Sequence, residues 1–277
     1  MIAPLVSTDW LATHHSDVKL VDASWYMPGD KRDPAAEFAA AHIPGAVFFD
    51  IDGVSDKGTD LPHMMPPPED FAAAIAALGI GNGDRVVVYD GSGIFSAPRL
   101  WWALRSMGHD RVAVLDGGLP KWRREGRALE SGAASPARGG FTARPAPALV
   151  RDYAGMLRHL EAADAQILDA RSPSRFTGEE KEPRPGLKSG HMPGACNLHY
   201  RALLTADGTL KSDSELRAII AARGVDPARP IVTTCGSGIS AAILMLALEK
   251  IGAADVALYD GSWAEWGGRE GAPVATG

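Results

Sequence analysis

A cysteine stands where a short apolar run gives way to a glycine-rich loop. The run Ile-Val-Thr-Thr at 231–234 is followed by Cys235, and two glycines lie within the next three residues. Closely spaced glycines let the backbone curl with its N–H groups pointing inward, and the helix after the loop adds the positive end of its dipole, which together favour a thiolate. We therefore predict that Cys235 is a reactive nucleophile in a nest that binds an anion. The nest residues are Gly236, Gly238, Ile239 and Ser240.

The alternative for Cys235 is a buried structural cysteine beside a tight turn, because free cysteine is among the most buried residue types. The second cysteine, Cys196, follows a turn at 191–195 and is predicted to be a core thiol. Neither cysteine lies in a Cys-x-x-Cys pair or in a Cys/His spacing typical of zinc. We therefore predict no metal site, no redox pair and no cofactor.

The composition is that of a soluble globular protein. The chain has 277 residues, of which 45% are hydrophobic and 22% are charged, and its formal net charge is −6. This balance offers no basic field for nucleic acid, and no apolar run is long enough to span a bilayer. The first ten residues contain neither a basic and apolar signal segment nor an Arg-rich amphipathic one, which favours a cytoplasmic location.

The sequence repeats its motifs in the same order and at nearly the same spacing. The pairs are His42-Ile-Pro-Gly-Ala with His191-Met-Pro-Gly-Ala, Asp90-Gly-Ser-Gly-Ile with Cys235-Gly-Ser-Gly-Ile, and Asp116-Gly before Trp122 with Asp260-Gly before Trp266. Such self-similarity indicates two homologous domains in tandem. We predict a first domain at 1–130, a linker rich in Gly, Ala, Pro and Ser at 131–147, and a second domain at 148–277.

Short β-branched runs alternate with helical stretches in each half. The predicted strands are 19–22, 46–49, 85–89 and 112–115, then 166–169, 195–198, 231–234 and 256–259. The predicted helices are 34–41, 69–78 and 96–107, then 212–222 and 241–251. Strands separated by helices predict an α/β fold, with a mostly parallel sheet flanked by helices in each domain. Ligands bind such sheets at the carboxyl ends of the strands, which is where Cys235 lies.

The repeat places Asp90 in the first domain where the second has Cys235. A carboxylate is stable in a ring of backbone amides but cannot act as a sulfur nucleophile, so we predict that the first domain is catalytically inactive. One active site per chain follows, in the cleft between the halves. His42 and His191 occupy equivalent positions in the two copies. Because one of them lies in the domain predicted to be inactive, both are predicted to be structural.

These tandem motifs, with Asp90 in one loop and Cys235 in the other, resemble the two-domain rhodanese family of sulfurtransferases over essentially the whole chain. Thiosulfate enzymes of that family carry basic residues directly after the cysteine, where this chain has Gly236 and Ser237. The loop Cys-Gly-Ser-Gly-Ile-Ser is instead similar to the Cys-Gly-Ser-Gly-Val-Thr loop of mercaptopyruvate sulfurtransferases. The resemblance implies two rhodanese-like domains, 3-mercaptopyruvate as the small-molecule donor, and cyanide, a small thiol or thioredoxin as the acceptor.

The family resemblance also implies which arginines bind the donor. The segments Ser174-Arg175-Phe176 and Glu182-Pro183-Arg184 match the family motifs that supply the substrate-binding arginines. The planar fork of arginine holds a carboxylate in a bidentate way, which suits a donor that carries a carboxylate and a ketone. Solvated loop charges are the alternative for both residues.

A proton relay is implied as well, because mercaptopyruvate sulfurtransferases join the loop serine to a histidine and an aspartate of the first domain. The matching residues here are Ser237, His63 and Asp52, with Asp50 as a competitor for Asp52. An imidazole oriented by a carboxylate can polarise a hydroxyl. Trp25 is a candidate for the apolar wall of the cleft, although a core position is its commoner role.

Three other functions remain open from the sequence. A thiosulfate:cyanide sulfurtransferase would share the fold and the nucleophile, and the neutral loop argues against it. A cysteine phosphatase would need an arginine six residues after the cysteine, where this chain has Ala241. A sulfur carrier or binding module without turnover would keep the fold alone, because a fold does not establish activity.

Overall fold

The computed structural model describes residues 2–277 and divides the chain into two compact units. Unit 1 comprises the chain up to Lys57 together with Met65–Ala146 and Leu204–Leu210. Unit 2 comprises Gly58–Met64, Pro147–Leu203 and Lys211–Gly277. Each unit therefore includes a short segment that comes from the other half of the sequence.

Unit 1 is built on a five-stranded parallel sheet. The strands are β1 (Leu5–Val6), β2 (Lys19–Asp22), β3 (Ala46–Phe48), β4 (Val86–Tyr89) and β5 (Val112–Leu115), in the spatial order β1-β5-β4-β2-β3. All four residues of β4 and of β5 are buried, as in a parallel sheet covered on both faces. The helices are α1 (Thr8–His14), α2 (Pro34–Ala40), α3 (Ile51–Val54), α4 (Pro68–Ala77), α5 (Ala97–Ser106) and α6 (Gly118–Arg124).

Of the predicted linker at 131–147, residues 131–146 belong to unit 1 and Pro147 to unit 2. The Gly139 N–H donates to the Ala76 carbonyl at 2.7 Å, and the Arg144 N–H donates to the Met107 carbonyl at 2.8 Å. Phe141 is buried, and its ring meets the ring of Phe71 edge-on. This segment is therefore an ordered part of the unit 1 surface.

Unit 2 repeats the same sheet. The strands are β6 (Val150–Arg151), β7 (Gln166–Asp169), β8 (Cys196–Asn197), β9 (Ile231–Thr234) and β10 (Val256–Tyr259), parallel and in the order β6-β10-β9-β7-β8. In the centre, Asp169 pairs with Thr234 at the ends of β7 and β9, so Cys235 follows directly at the carboxyl edge of the sheet.

The helices of unit 2 are α7 (Tyr153–Ala162), α8 (Pro173–Thr177), α9 (Asp213–Ala221), α10 (Ala241–Lys250) and α11 (Ser262–Trp266). Every residue of α10 up to Leu248 is buried, which explains why this helix is apolar on all sides. Ser212 and Glu215 form a capping box that fixes the start of α9.

The two parallel sheets flanked by helices confirm the predicted fold class. The prediction for Cys196 is wrong, because this residue lies on the edge strand β8 and is only half-buried. An edge strand has a neighbour on one side only, so it is less covered than the central strands of the sheet. Within residues 2–277, no helix combines the length and the apolar character needed to cross a bilayer.

Candidate active site

Cys235 lies at the end of β9 with 2% of its surface exposed. Its carbonyl accepts a hydrogen bond from the Trp263 N–H at 2.9 Å, and the Gly236 carbonyl accepts one from Ala264 at the same distance. Gly238 has a φ of +81°, a value that glycine adopts without strain, so the chain can turn from the strand into α10. The loop is therefore held by the start of α11 at its cysteine end, and it leads at its other end into α10, which is buried up to Leu248.

The equivalent loop of unit 1 shows what this turn binds. The Asp90 carboxylate is fully buried and accepts the N–H groups of Ser92, Phe95, Ser96 and Ala97 at 2.8 to 3.0 Å. Unit 1 therefore surrounds the Asp90 carboxylate with backbone amides of its own loop. That unit 1 is catalytically inactive stays a prediction. The corresponding residues of unit 2 are Ser237, Ser240, Ala241 and Ala242.

Arg175 approaches the Cys235 loop from α8. A β-carbon placed on Gly236 would lie 3.1 Å from Arg175 Nη2, so a side chain at 236 would press against the guanidinium. The neutral glycine after the cysteine thus makes room for an arginine that comes from elsewhere in the unit. The Arg175 side chain is 17% exposed and remains within reach of solvent at the loop.

A buried chain of charges holds Arg175. Glu182 accepts from Arg175 Nη2 at 2.5 Å through Oε2 and from Arg171 Nη1 at 2.8 Å through Oε1. Arg171 also binds the Asp169 carboxylate through Nε and Nη2, and its guanidinium lies 4.1 Å from the ring centre of Trp263. Charged groups so far from water are stable only when they are paired.

Neither Arg171 nor Glu182 is among the site residues predicted from the sequence. Arg171 lies two residues after the end of β7. A charged residue so close to the end of a buried strand is a sequence signal for a buried charge. Unit 1 has Ser24 at the position equivalent to Arg171, and there burial raises the pKa of Asp22 to about 6 although the Ser24 hydroxyl and N–H donate to it. The arginine that neutralises the buried aspartate is therefore found only in the unit that has the cysteine.

Ser237 and His63 meet within unit 2. The distance from His63 Nδ1 to Ser237 Oγ is 3.0 Å, and the imidazole is 6% exposed. His63 belongs to the segment Gly58–Met64, and its backbone is in the left-handed region, with a φ of +62°. A non-glycine residue in that region is held there by its surroundings and is often functional.

The two acidic candidates for the relay have different roles within unit 1. Asp50 is the N-cap of α3 and accepts the Gly53 N–H at 2.9 Å, which is a structural task. Asp52 Oδ2 accepts from Trp25 Nε1 at 2.9 Å. Trp25 is 7% exposed, and this hydrogen bond fixes the indole within unit 1.

Ile239 and Ser240 belong to the loop that follows the cysteine, and Arg184 lies on the loop between α8 and β8. Ile239 is buried at 3% exposure, and Ser240 is the residue before α10, where its side chain makes no capping bond. Arg184 is partly buried, two residues after Glu182. The described structure thus brings Cys235, Ser237, His63 and Arg175 to one edge of one sheet.

The repeated histidines hold local structure. The His42 ring stacks on Phe38, with a ring distance of 4.0 Å, and its Nδ1 contacts the Phe38 carbonyl at 2.7 Å. The His191 ring stacks on Phe176 at 3.8 Å in the same way. Stacking in both units supports the structural role predicted for this pair.

The chain is similar to known proteins in both sequence and structure. The Rhodanese-like domain family matches the chain twice, at residues 7–125 and 153–269. The 3-mercaptopyruvate sulfurtransferase of Escherichia coli K12 is 45% identical over 272 residues, which cover 97% of this chain and 96% of that protein. Thiosulfate sulfurtransferase of Bos taurus is 41% identical over 271 residues, covering 95% and 91%. The crystal structure of SseA from Escherichia coli matches with a TM-score of 0.87 and 43% identity, covering 95% of this chain and 99% of that one.

Proposed function

Since the chain belongs to the rhodanese family, with one rhodanese-like domain in each half, we propose that it is a sulfurtransferase that moves the sulfur of 3-mercaptopyruvate through Cys235 to an acceptor. Unit 2 is the catalytic domain of this proposal. The observation that carries it is the cysteine loop with neutral Gly236 and Ser237, to which Arg175 and His63 come from other segments.

The proposed reaction has two steps. The Cys235 thiolate attacks the donor sulfur, an S–S bond forms, and the C–S bond breaks with its electron pair passing to the three-carbon fragment. That fragment leaves as the pyruvate enolate, which takes up a proton at its terminal carbon. An acceptor nucleophile then removes the outer sulfur and regenerates the thiolate, so the kinetics are ping-pong.

Positive charge for the donor comes from two arginines in this proposal. Arg175 stands against Gly236, and Arg184 lies on the loop after α8. A guanidinium stabilises both the donor carboxylate and the oxygen that becomes negative in the enolate. Glu182 already binds one edge of the Arg175 guanidinium through Nε and Nη2. The N–H groups that remain suit the single carboxylate of 3-mercaptopyruvate in this proposal.

The persulfide is proposed to rest in the Cys235 loop, where the residues equivalent to the amide donors of unit 1 are Ser237, Ser240, Ala241 and Ala242. Of the nest residues predicted from the sequence, Gly236, Gly238, Ile239 and Ser240, only Ser240 is among these equivalents. Support comes from unit 1, where the same turn surrounds the Asp90 carboxylate with four backbone N–H groups. Backbone amides stabilise a charge on the outer sulfur of a persulfide as they do the oxygens of a carboxylate. In this proposal the loop stabilises the covalent persulfide intermediate, while the arginines bind the sulfur donor.

Ser237, His63 and Asp52 are proposed to carry the proton. The donor thiol loses a proton when the persulfide forms as an anion, and the enolate carbon gains one. A hydroxyl that contacts an imidazole at 3.0 Å provides a path between the two. Asp52 is the proposed third member, and Trp25 the proposed wall of the site.

Replacement Ser237→Ala is expected to lower kcat for pyruvate formation by about 100-fold, the usual size of a general acid–base contribution. Discharge of the preformed persulfide by cyanide needs no proton transfer to carbon and is expected to keep its rate. Stopped-flow measurement of each half-reaction separates the two. Ser214→Ala removes an exposed hydroxyl on α9 and serves as the control, and equal losses in both half-reactions would contradict the relay.

Replacement Arg175→Lys keeps the charge but loses the planar fork. We expect kcat/KM for 3-mercaptopyruvate to fall by roughly 30- to 100-fold, mainly through KM, because a bidentate contact to the carboxylate is lost. Steady-state kinetics with Arg229→Lys as a control checks this, since Arg229 is exposed and lies just before β9, at the opposite end of that strand from Cys235. An unchanged KM would exclude Arg175 from donor binding.

Initial rates with 3-mercaptopyruvate and with thiosulfate, measured side by side with cyanide as acceptor, test the proposed function. We expect kcat/KM for 3-mercaptopyruvate to exceed that for thiosulfate at least about tenfold, because the residues directly after Cys235, Gly236 and Ser237, add no positive charge for a dianion. A preference for thiosulfate would support the second candidate, a thiosulfate sulfurtransferase, which the bovine relative also represents. Turnover with neither donor would favour a carrier or binding module.

The acceptor is proposed to be a small thiol, cyanide or thioredoxin, each of which can attack the outer sulfur of a persulfide. The buried position of Cys235 favours slender nucleophiles. The cytoplasmic location stays a prediction of the sequence.

A further inference from the structure

The segment after β10 makes three hydrogen bonds to the main chain of the nucleophile loop. The N–H groups of Trp263 and Ala264 bind the carbonyls of Cys235 and Gly236, both at 2.9 Å. The third contact comes from a side chain, because Ser262 Oγ accepts the Cys235 N–H at 3.3 Å. Ser262 is thus the side chain that holds the nucleophile's own amide.

Ser262 has a strained backbone conformation. It is fully buried, its φ is +50°, and its hydroxyl donates to the Tyr259 carbonyl at 2.9 Å. Both the donor and an acceptor site of the hydroxyl are therefore used. A residue with a β-carbon is strained in the left-handed region, where glycine is the usual choice. Such strain persists where the surrounding structure enforces it, and it concentrates at functional sites.

Unit 1 provides the matched comparison. Gly118 occupies the equivalent position with a φ of +53°, and the next residue, Leu119, donates its N–H to the Asp90 carbonyl at 3.0 Å. A β-carbon on Gly118 would come within 2.5 Å of the Asp90 and Gly93 carbonyl oxygens. The unit without a nucleophile thus uses the unstrained residue, and the unit with Cys235 keeps a strained serine.

We propose that Ser262 is a positioning residue for sulfur transfer, whose hydroxyl fixes the main chain of Cys235 and so the direction of the Cys235 Sγ. This inference deepens the proposed function and rests on it. Small displacements of a nucleophile lower the rate of attack strongly, because the reacting atoms leave the near-attack geometry. In this proposal Ser262 acts on the sulfur donor only through Cys235. A change at Ser262 therefore alters kcat, whereas the arginines determine KM for the sulfur donor.

Two variants separate this role from a purely structural one. Ser262→Gly and Ser262→Ala both remove the hydroxyl, but only the glycine variant relieves the backbone strain. The alanine variant is therefore expected to have the lower Tm. We expect kcat to fall about tenfold in both variants, with KM within about twofold of wild type. The assay uses the full chain with 3-mercaptopyruvate and with thiosulfate, since the direction of Sγ serves either donor.

The outcomes are distinguishable. Wild-type kcat in Ser262→Gly, with a loss only in Ser262→Ala, would show that activity follows stability and would overturn the positioning role. A loss that appears in KM rather than kcat would overturn it as well. Wild-type protein that turns over neither donor would overturn the proposed function and this inference together.

Discussion

Cys235→Ser is expected to lower sulfur transfer by a factor on the order of 10⁴ or more, the size of effect that follows loss of a covalent nucleophile. A serine hydroxyl is almost entirely protonated at neutral pH and forms no persulfide. The measurement is the initial rate of pyruvate release from 3-mercaptopyruvate with cyanide present. Mass spectrometry after donor treatment without acceptor should show one added sulfur on wild type and none on the variant.

Cys196→Ser is the matched control, because it makes the same chemical change at the second cysteine of the chain, on the edge strand β8. Its rate and its mass shift are expected to equal those of wild type. Turnover by Cys235→Ser at more than about 1% of wild type would mean that another group accepts the sulfur. The whole two-step scheme would then be wrong.

Arg171→Met is expected to have the largest effect on stability. Methionine fills much of the same space but leaves Asp169 and Glu182 without their shared cation, and the Asp169 and Glu182 side chains are only 2% and 1% exposed. Breaking a buried ion pair on one side typically costs about 3–5 kcal/mol, because an uncompensated charge remains. Urea unfolding followed by tryptophan fluorescence measures the loss, since Trp263 lies under the Arg171 guanidinium.

Lys250→Met supplies the comparison within unit 2. Lys250 pairs with Asp213 at the surface, where the two side chains are 25% and 56% exposed. Surface ion pairs contribute about 0–1 kcal/mol, so this variant is expected to unfold close to wild type. Equal effects of the two substitutions would mean that the charge chain behind Arg175 contributes no more than a surface pair.

Most of the sheet could be predicted because its strands are buried on both faces and appear as uninterrupted β-branched runs. The strands β2, β5, β7 and β10 have the predicted ends. The strands β1 and β6 contain two residues each, too few for a pattern. The helix α7 was missed although Asp152 is a clear N-cap signal for it.

The site was predictable where a single segment carries the chemistry. The Cys235 loop contains its own glycines, and the repeat places Asp90 at the equivalent position of unit 1. The orientation of Arg175 depends on Glu182 and Arg171, which are brought together by packing rather than by spacing. The contact of His63 with Ser237 joins residues far apart in sequence, and only the family resemblance paired them.

The segments that each unit takes from the other half of the chain constrain biosynthesis. Leu210 donates its N–H to Asp116 Oδ1 at 2.9 Å, and Arg124 Nη2 donates to the Asp207 carbonyl, so residues 204–210 complete unit 1. A ribosome makes the chain from its N-terminus, and early domains generally fold as they emerge. Unit 1 of this chain stays incomplete until synthesis has passed residue 210, and by then much of unit 2 has also been synthesised. A fragment that ends at Ala146 therefore lacks residues 204–210 of unit 1. No single cleavage of the chain separates it into two complete units.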